Sequence, residues 1–313
     1  MIKNPQITIL GAGAWGMTLA HLLDHSNHHY RIWCRQSSES LESMVTSTDI
    51  IICAVSIKGV RDIIDNLRKI KLKENTIIVT ATKGLDFETT HTPSQIWQEA
   101  FPSYPIVVLC GPNLSKEINH NLPAATVVSS KDNKAAELIQ NIFASDFFRV
   151  YINNDPLGTE LGGTLKNVMA IASGVCDGLK LGTNAKAALL TRALPEMIRV
   201  GTYLGASKET FFGLSGLGDL LATCDSPLSR NYQVGIGLAQ GKNLDDILAH
   251  LEGTAEGINT TNVLIKLAQK KSIPVPISYQ VYLLLKGKIS AEEALQNLMA
   301  RELKEEFCYI QFS

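Results

Sequence analysis

The sequence has almost no surplus charge of either sign. Its 29 lysines and arginines against 30 aspartates and glutamates leave a formal net charge of −1 over 313 residues. No broad field exists to attract nucleic acid or an anionic membrane surface, so a phosphate ligand has to be held by local charges. Cysteine is sparse too. Cys34, Cys53, Cys110, Cys176, Cys224 and Cys308 are scattered without the spacing of a metal site. That argues against a metal centre and suits reduced thiols in a core. Nowhere do about eighteen apolar residues run together, so no integral membrane segment is expected. The first residues pass straight into a strand pattern, without a charged region followed by an apolar stretch and a cleavage site. The expectation is therefore a soluble, cytoplasmic protein. Internal repeats and low-complexity tracts are absent as well.

Short apolar runs are what the first half does contain. Ile7–Leu10, Tyr30–Cys34, Ile50–Val55, Thr76–Ala81, Ile106–Leu109, Thr126–Ser129 and Phe147–Ile152 recur with helical patterns between them. This alternation predicts a mainly parallel sheet covered by helices. After Asn153-Asn154-Asp155-Pro156 the strand signals stop and long Ala, Leu and Ile helical patterns follow. A chain of 313 residues exceeds one typical core. The expected architecture is α/β: a Rossmann-like, mainly parallel sheet domain over residues 1–154 that binds a dinucleotide, then an all-α domain over 155–313 that binds substrate and carries catalysis. Ligands of open α/β sheets sit beyond the carboxyl ends of the strands, where a docked helical domain would close a cleft.

The first strand runs directly into Gly11-Ala12-Gly13-Ala14-Trp15-Gly16 and then into the helical pattern Met17, Leu19, Ala20, Leu22, Leu23. Gly11 permits a tight turn, Gly13 lets backbone amides approach a pyrophosphate, and Gly16 lets helix and strand pack closely. A glycine pattern that follows a strand and opens a helix meets the structural condition for dinucleotide binding; the alternative is merely a tight turn. A cofactor with a free 2′-hydroxyl usually meets an acid about twenty residues past the glycines. Arg35 stands there instead, with no acid before Glu39. A guanidinium suited to a 2′-phosphate favours NADPH, with NADH still possible, unless Arg35 is only a solvated charge.

Lys166 lies in Gly162-Gly163-Thr164-Leu165-Lys166-Asn167, read here as the start of a helix whose next residues are small or apolar on nearly every side. An unpaired buried ammonium is costly, so Lys166 is ion-paired, opens into a cleft, or snorkels to solvent. Lys83-Gly84 follows the strand that ends near Ala81, and Gly111-Pro112-Asn113 follows the next strand, where Asn113 is a candidate helix N-cap. Gly216-Leu217-Gly218-Asp219 reads as a flexible turn bearing a carboxylate, and Ser229-Arg230-Asn231 joins hydroxyl, guanidinium and amide. Taken singly, Lys83 reads as a surface cation, Asp219 as a cap and Arg230 as a surface ion-pair member.

Together these segments, with Asp177-Gly178-Leu179, Asn184-Ala185-Lys186-Ala187-Ala188 and Glu256-Gly257, resemble the bacterial NAD(P)-dependent glycerol-3-phosphate dehydrogenases over nearly the whole chain. The resemblance implies Lys166 as proton donor and acceptor, with Lys83 and Asp219 beside it in catalysis. Lys83, Gly111, Asn113, Lys166, Asp219, Ser229, Arg230 and Asn231 would surround glycerol 3-phosphate. Ala14, Trp15, Arg35, Lys83, Ser115, Arg230, Thr254 and Glu256 would join Gly11, Gly13 and Gly16 around the cofactor. Asn113 stands where a serine is common, and Thr254 where an aliphatic residue is common. The stretch from Arg35 to the third strand at Asp49 is shorter than the family usually carries.

Dihydroxyacetone phosphate accepts hydride at its ketone, whose oxygen develops charge that a nearby ammonium stabilises and protonates. Lys83 and partial desolvation are expected to lower the Lys166 pKa from about 10.4 toward neutrality, and Asp219 to orient and tune it. Arg230 and the amides near Asn113 suit a dianionic phosphate. Two other readings compete: a β-hydroxyacid dehydrogenase of similar build, which Ser229-Arg230-Asn231 argues against, and a cofactor-binding redox sensor, which would have little use for Lys83, Lys166 and Asp219 together. The apolar helical half suits a homodimer.

Overall fold

The computed structural model describes residues 4–303 and 305–306; Cys308 lies outside the described residues. Seven strands form one sheet: β1 (Ile7–Leu10), β2 (Tyr30–Trp33), β3 (Ile50–Cys53), β4 (Ile77–Thr80), β5 (Ile106–Cys110), β6 (Ala124–Ser130) and β7 (Phe148–Asn153), in the order β2-β1-β3-β4-β5-β6-β7. Every adjacent pair is parallel except β5 with β6. The β-branched runs of the central strands β1, β3, β4 and β5 are buried on both faces, as a covered parallel sheet requires, while the edge strands β2 and β7 are only partly covered. In β3, Ile50 and Ile52 pack into one apolar cluster and Ile51 and Cys53 into another on the opposite face.

Helices α1 (Ala14–His25), α2 (Leu41–Val45), α3 (Ile57–Leu67), α4 (Pro93–Ala100), α5 (Ser115–Ile118) and α6 (Asn133–Phe143) lie between the strands. Gly11 turns β1 into α1 with φ of 118°, and a Cβ there would stand 2.8 Å from the Ala54 carbonyl oxygen, so the turn needs glycine twice over. The strand order reverses at β1, which puts this turn at the crevice where dinucleotides bind in open sheets.

Beyond β7 the described chain is helical: α7 (Pro156–Gly178), α8 (Gly182–Tyr203), a 3-10 turn at Lys208–Phe212, a π-helical turn at Leu214–Gly218, α9 (Asp219–Cys224), α10 (Arg230–Ala239), α11 (Leu244–Ala249), α12 (Glu256–Lys271), α13 (Pro276–Leu285) and α14 (Ala291–Met299). Their core is built round α7, with Leu161, Leu165, Val168 and Met169 at its centre. Asp155 opens α7 by accepting from Gly158 N at 3.0 Å, and its other oxygen accepts from Ser207 N and Thr210 Oγ1. Leu85, from the loop after β4, is buried in this helical core rather than in the sheet's own.

Four expectations change. Lys166 does not begin a helix but sits in the middle of the 23-residue α7. Gly162 and Gly163 lie inside that helix and serve as contact points: a Cβ on Gly162 would lie 2.6 Å from the Ser215 carbonyl oxygen, and one on Gly163 would lie 2.2 Å from Cys110 Sγ. Asn113 is not an N-cap, since α5 takes Leu114 in that position and the Asn113 amide donates to Thr126 Oγ1 at 3.0 Å. Asp219 is the first residue of α9, directly after a π-helical turn packed on Phe211, rather than part of a flexible turn. Cys34 is partly exposed at the end of β2, while Cys53, Cys110, Cys176 and Cys224 are buried.

Candidate active site

Three distant segments meet beyond the carboxyl ends of β4 and β5. Lys83, three residues past the end of β4, extends its ammonium to Asp219 Oδ2 at 2.7 Å and to the Gly111 carbonyl at 3.4 Å. Lys166, from α7, reaches Asp219 Oδ1 at 2.6 Å and also donates to Thr223 Oγ1, one helical turn beyond Asp219 on α9. One buried carboxylate thus holds two ammonium groups, each by its own oxygen, and the cluster carries a net positive charge.

The two lysines differ because their surroundings differ. Burial lowers the Lys166 pKa to about 8; the Asp219 charge pulls it up, and the Lys83 charge pushes it down. Burial also opposes charge on Lys83, but the Asp219 charge and hydrogen bond outweigh it, and its pKa stands above the usual lysine value. Lys83 is therefore a fixed cation, while Lys166 can gain and lose a proton around pH 8. Cys110, beside both, is held as a neutral thiol, its pKa pushed to about 11 chiefly by burial.

Asn113 borders the same space. Its Oδ1 is buried without a hydrogen-bond partner, a free acceptor for a ligand hydroxyl. Ser229 caps α10 by accepting from Tyr232 N, and Asn231 Oδ1 accepts from Gly257 N at 2.9 Å. A Cβ on Gly257 would fall 2.7 Å from both Asn231 Oδ1 and the Asn167 carbonyl oxygen. Asn231 is thereby placed beside the neighbour of Lys166. Arg230 is exposed, with Nη1 donating to the Thr254 carbonyl at 3.2 Å. Glu256 opens α12, and burial raises its carboxyl pKa although the Lys58 and Arg230 charges oppose the rise.

The glycine turn offers a fitting cradle for a pyrophosphate. Gly13 is exposed, nothing lies within 4 Å of where its Cβ would be, and α1 begins at Ala14 with its first amides facing out. Trp15 is partly buried against the sheet, and a Cβ on Gly16 would meet the Gly11 carbonyl at 2.0 Å. Ser115 is the first residue of α5, beyond β5. Arg35 is exposed past the end of β2, which stands three strand spacings from β4, roughly 14 Å. The structure therefore joins Lys83, Gly111, Lys166 and Asp219 in one cluster, with Asn231 close behind, and leaves Arg35 apart beyond the end of β2.

Thr223 escaped the sequence reading. Its only available signal is its place four residues after Asp219, one turn along a helix not recognised from sequence. Among the described residues no group of three histidine, cysteine, aspartate or glutamate side chains is arranged to hold a metal, and no helix is long and apolar enough to cross a membrane.

Comparison with known proteins bears on the whole chain. The model of the NAD-dependent glycerol-3-phosphate dehydrogenase C-terminus matches residues 155–296. The N-terminal model of the same family matches 6–46 and 36–136, overlapping at the stretch after Arg35. A protein of Synechocystis sp. named glycerol-3-phosphate dehydrogenase (NAD(P)+) is 64% identical over 97% of this chain and 96% of its own length. One of Acaryochloris marina with the same name is 61% identical over 98% and 99%. A crystal structure of glycerol-3-phosphate dehydrogenase from Coxiella burnetii superposes with a TM-score of 0.91 at 31% identity, covering 95% of this chain and 99% of that one.

Proposed function

The chain belongs to the NAD-dependent glycerol-3-phosphate dehydrogenase family, and from that premise we propose that it interconverts dihydroxyacetone phosphate and sn-glycerol 3-phosphate with NADPH or NADH, Lys166 giving and taking the proton. The observation that carries this reading is the Asp219 carboxylate shared between Lys83 and Lys166. A dihydronicotinamide held through the Gly11–Gly16 turn would supply the hydride that the ketone carbon accepts. As the carbonyl electron pair moves onto oxygen, the Lys166 ammonium releases its proton to that oxygen and becomes the amine. In the reverse direction the amine takes the proton from the secondary hydroxyl.

Lys83 stays charged through the cycle and stabilises the oxyanion, while Asp219 orients both ammonium groups and keeps the cluster from carrying two uncompensated charges. Asn113, Ser229, Arg230 and Asn231 surround the substrate, with Arg230 meeting its phosphate. Gly11, Gly13, Ala14, Trp15 and Gly16 hold the cofactor pyrophosphate; Arg35, Ser115, Thr254 and Glu256 line the rest of its groove. Residues 1–154 act as the dinucleotide-binding unit and 155–313 as the substrate-binding and catalytic one. Location in the cytoplasm and assembly as a homodimer through the helical half complete the reading.

Lys166→Met tests it. The expected result is loss of turnover by at least about 10²-fold, the lower range of general-acid catalysis, with NADPH affinity unchanged. Turnover within about tenfold of wild type removes Lys166 from the proton-transfer role.

A further inference from the structure

Glu160 is 2% exposed and lies on α7, six residues before Lys166, about 9 Å along the helix. Its carboxylate is aimed at the start of α4 on the dinucleotide-binding side of the molecule. Ser94 N donates to Oε1 at 2.9 Å and to Oε2 at 3.1 Å, and Ser94 Oγ donates to Oε2 at 2.5 Å. Among the described residues it forms no ion pair, and burial pushes its pKa to about 7 against the pull of the Ser94 and Thr92 hydrogen bonds. A carboxyl buried without a cation is costly, and capping α4 does not by itself account for it. That helix already has a capping box of its own, made by Thr92 and Gln95.

What Glu160 does in addition is tie α7 to the other half of the protein. Glu160, Gly163 and Thr164 recur at the three- and four-residue spacing that places them on one side of a helix. All three face the dinucleotide-binding half: Glu160 holds α4, Gly163 packs on Cys110 at the end of β5, and Thr164 Oγ1 accepts from Gly84 N at 3.0 Å, next to Lys83. The Gly163 contact is packing alone, and the Thr164 contact is a single hydrogen bond. Glu160 is the strongest of the three anchors and stands at the end of the lever. Lys166 and Asp219 both belong to the helical half, whereas Lys83 comes from the other, so the 2.7 Å link between Lys83 and Asp219 depends on how α7 packs against the end of β5 and the loop after β4. We propose that Glu160 is a positioning residue for this reaction, and that its grip on Ser94 sets the docking of α7 which lets Lys83, Asp219 and Lys166 meet.

The proposal rests on the reading of Lys166 as the proton donor. Its test is Glu160→Gln, which keeps shape but turns one acceptor into a donor facing the Ser94 N–H and O–H. The expected result is a fall in kcat of about 10- to 100-fold, the size that misplacement by about 1 Å produces. KM for dihydroxyacetone phosphate and the NADPH Kd should stay within about threefold of wild type, a split that general loosening of the fold would not give. Ser94→Ala, which deletes one of three hydrogen bonds, should lower kcat by a smaller factor in the same pattern, and it decides the matter if Glu160→Gln does not fold. Wild-type kcat in the folded variant, or parallel loss of kcat and NADPH affinity, overturns the proposal. Lys166→Met measured alongside separates the two ideas: an inactive Lys166→Met with a fully active Glu160→Gln sinks only the positioning role, whereas an active Lys166→Met sinks the proton-donor reading beneath it.

Discussion

Lys166 keeps its proton at pH 7 and loses it only as the pH passes about 8, and this single value sets how the two directions of the reaction should respond to pH. Ketone reduction needs the ammonium, so its kcat should be level below pH 8 and fall above it. Alcohol oxidation needs the amine, so its kcat should rise through the same region. Measuring kcat in both directions from pH 6 to 10 checks this, and profiles that fall together above pH 8 would assign the titration to some other group. Lys83 cannot supply the proton-transfer pair, because Asp219 holds its pKa above the ordinary lysine range. The division of labour between two chemically identical side chains comes from their surroundings: Lys166 is 6% exposed, and Lys83 retains 24% exposure of its side chain.

At the scale of elements, α7 and the ends of the strands decide the geometry. Alanine would favour a helix over glycine by roughly 1 kcal/mol at each of Gly162 and Gly163. Contacts at 2.6 and 2.2 Å leave no room for the methyl groups, so close docking of α7 outweighs propensity there. The end of β2 carries the residue proposed to select the cofactor. Arg35 is exposed past Trp33, with the short stretch to α2 behind it. Arg35→Asp should shift preference from NADPH toward NADH by removing a partner of the 2′-phosphate and offering a carboxylate to the ribose hydroxyls. The ratio of kcat/KM for the two cofactors at low salt measures this. A change under about tenfold, roughly 1.4 kcal/mol, would mean that solvent screens the guanidinium and that Arg35 does not select the cofactor.

At the scale of the molecule, the two halves have separate cores joined where the candidate active site lies. Leu85 is buried in the helical core, and Asn259 Nδ2 donates to its carbonyl at 3.0 Å. The loop that carries Lys83 is thus held by both halves. The far side of the helical half is less finished: Tyr203, Tyr279, Met299 and Leu303 are exposed, and a cavity of about 630 Å³ opens among α7, α8, α13 and α14. Apolar surface of this kind is what a second copy would cover. Sedimentation at micromolar concentration should therefore give about twice the 34.1 kDa chain mass. A species at the chain mass would remove the homodimer.

Much of this was legible in the amino-acid order alone, because it depends on neighbours. The β-branched runs mark all seven strands, Gly11 to Gly16 mark the turn into α1, and Asn153 to Pro156 mark the change from mixed to helical structure, each through local conformational preference and hydrophobic period. The order of chemical groups along the chain also points to Lys83, Lys166 and Asp219. Tertiary structure alone decided the rest. Gly162 and Gly163 look like the edge of a helix until Ser215 and Cys110 are seen pressed against them. Asn113 looks like a cap until Thr126 takes its amide, and neither Thr223 nor Glu160 stands out before α9 and α4 bring them their partners. The sharing of one carboxylate between Lys83 and Lys166, 83 positions apart in sequence, is a product of packing between the two halves. The difference in their pKa values is likewise a product of burial together with the charges packed around each, which no local pattern encodes.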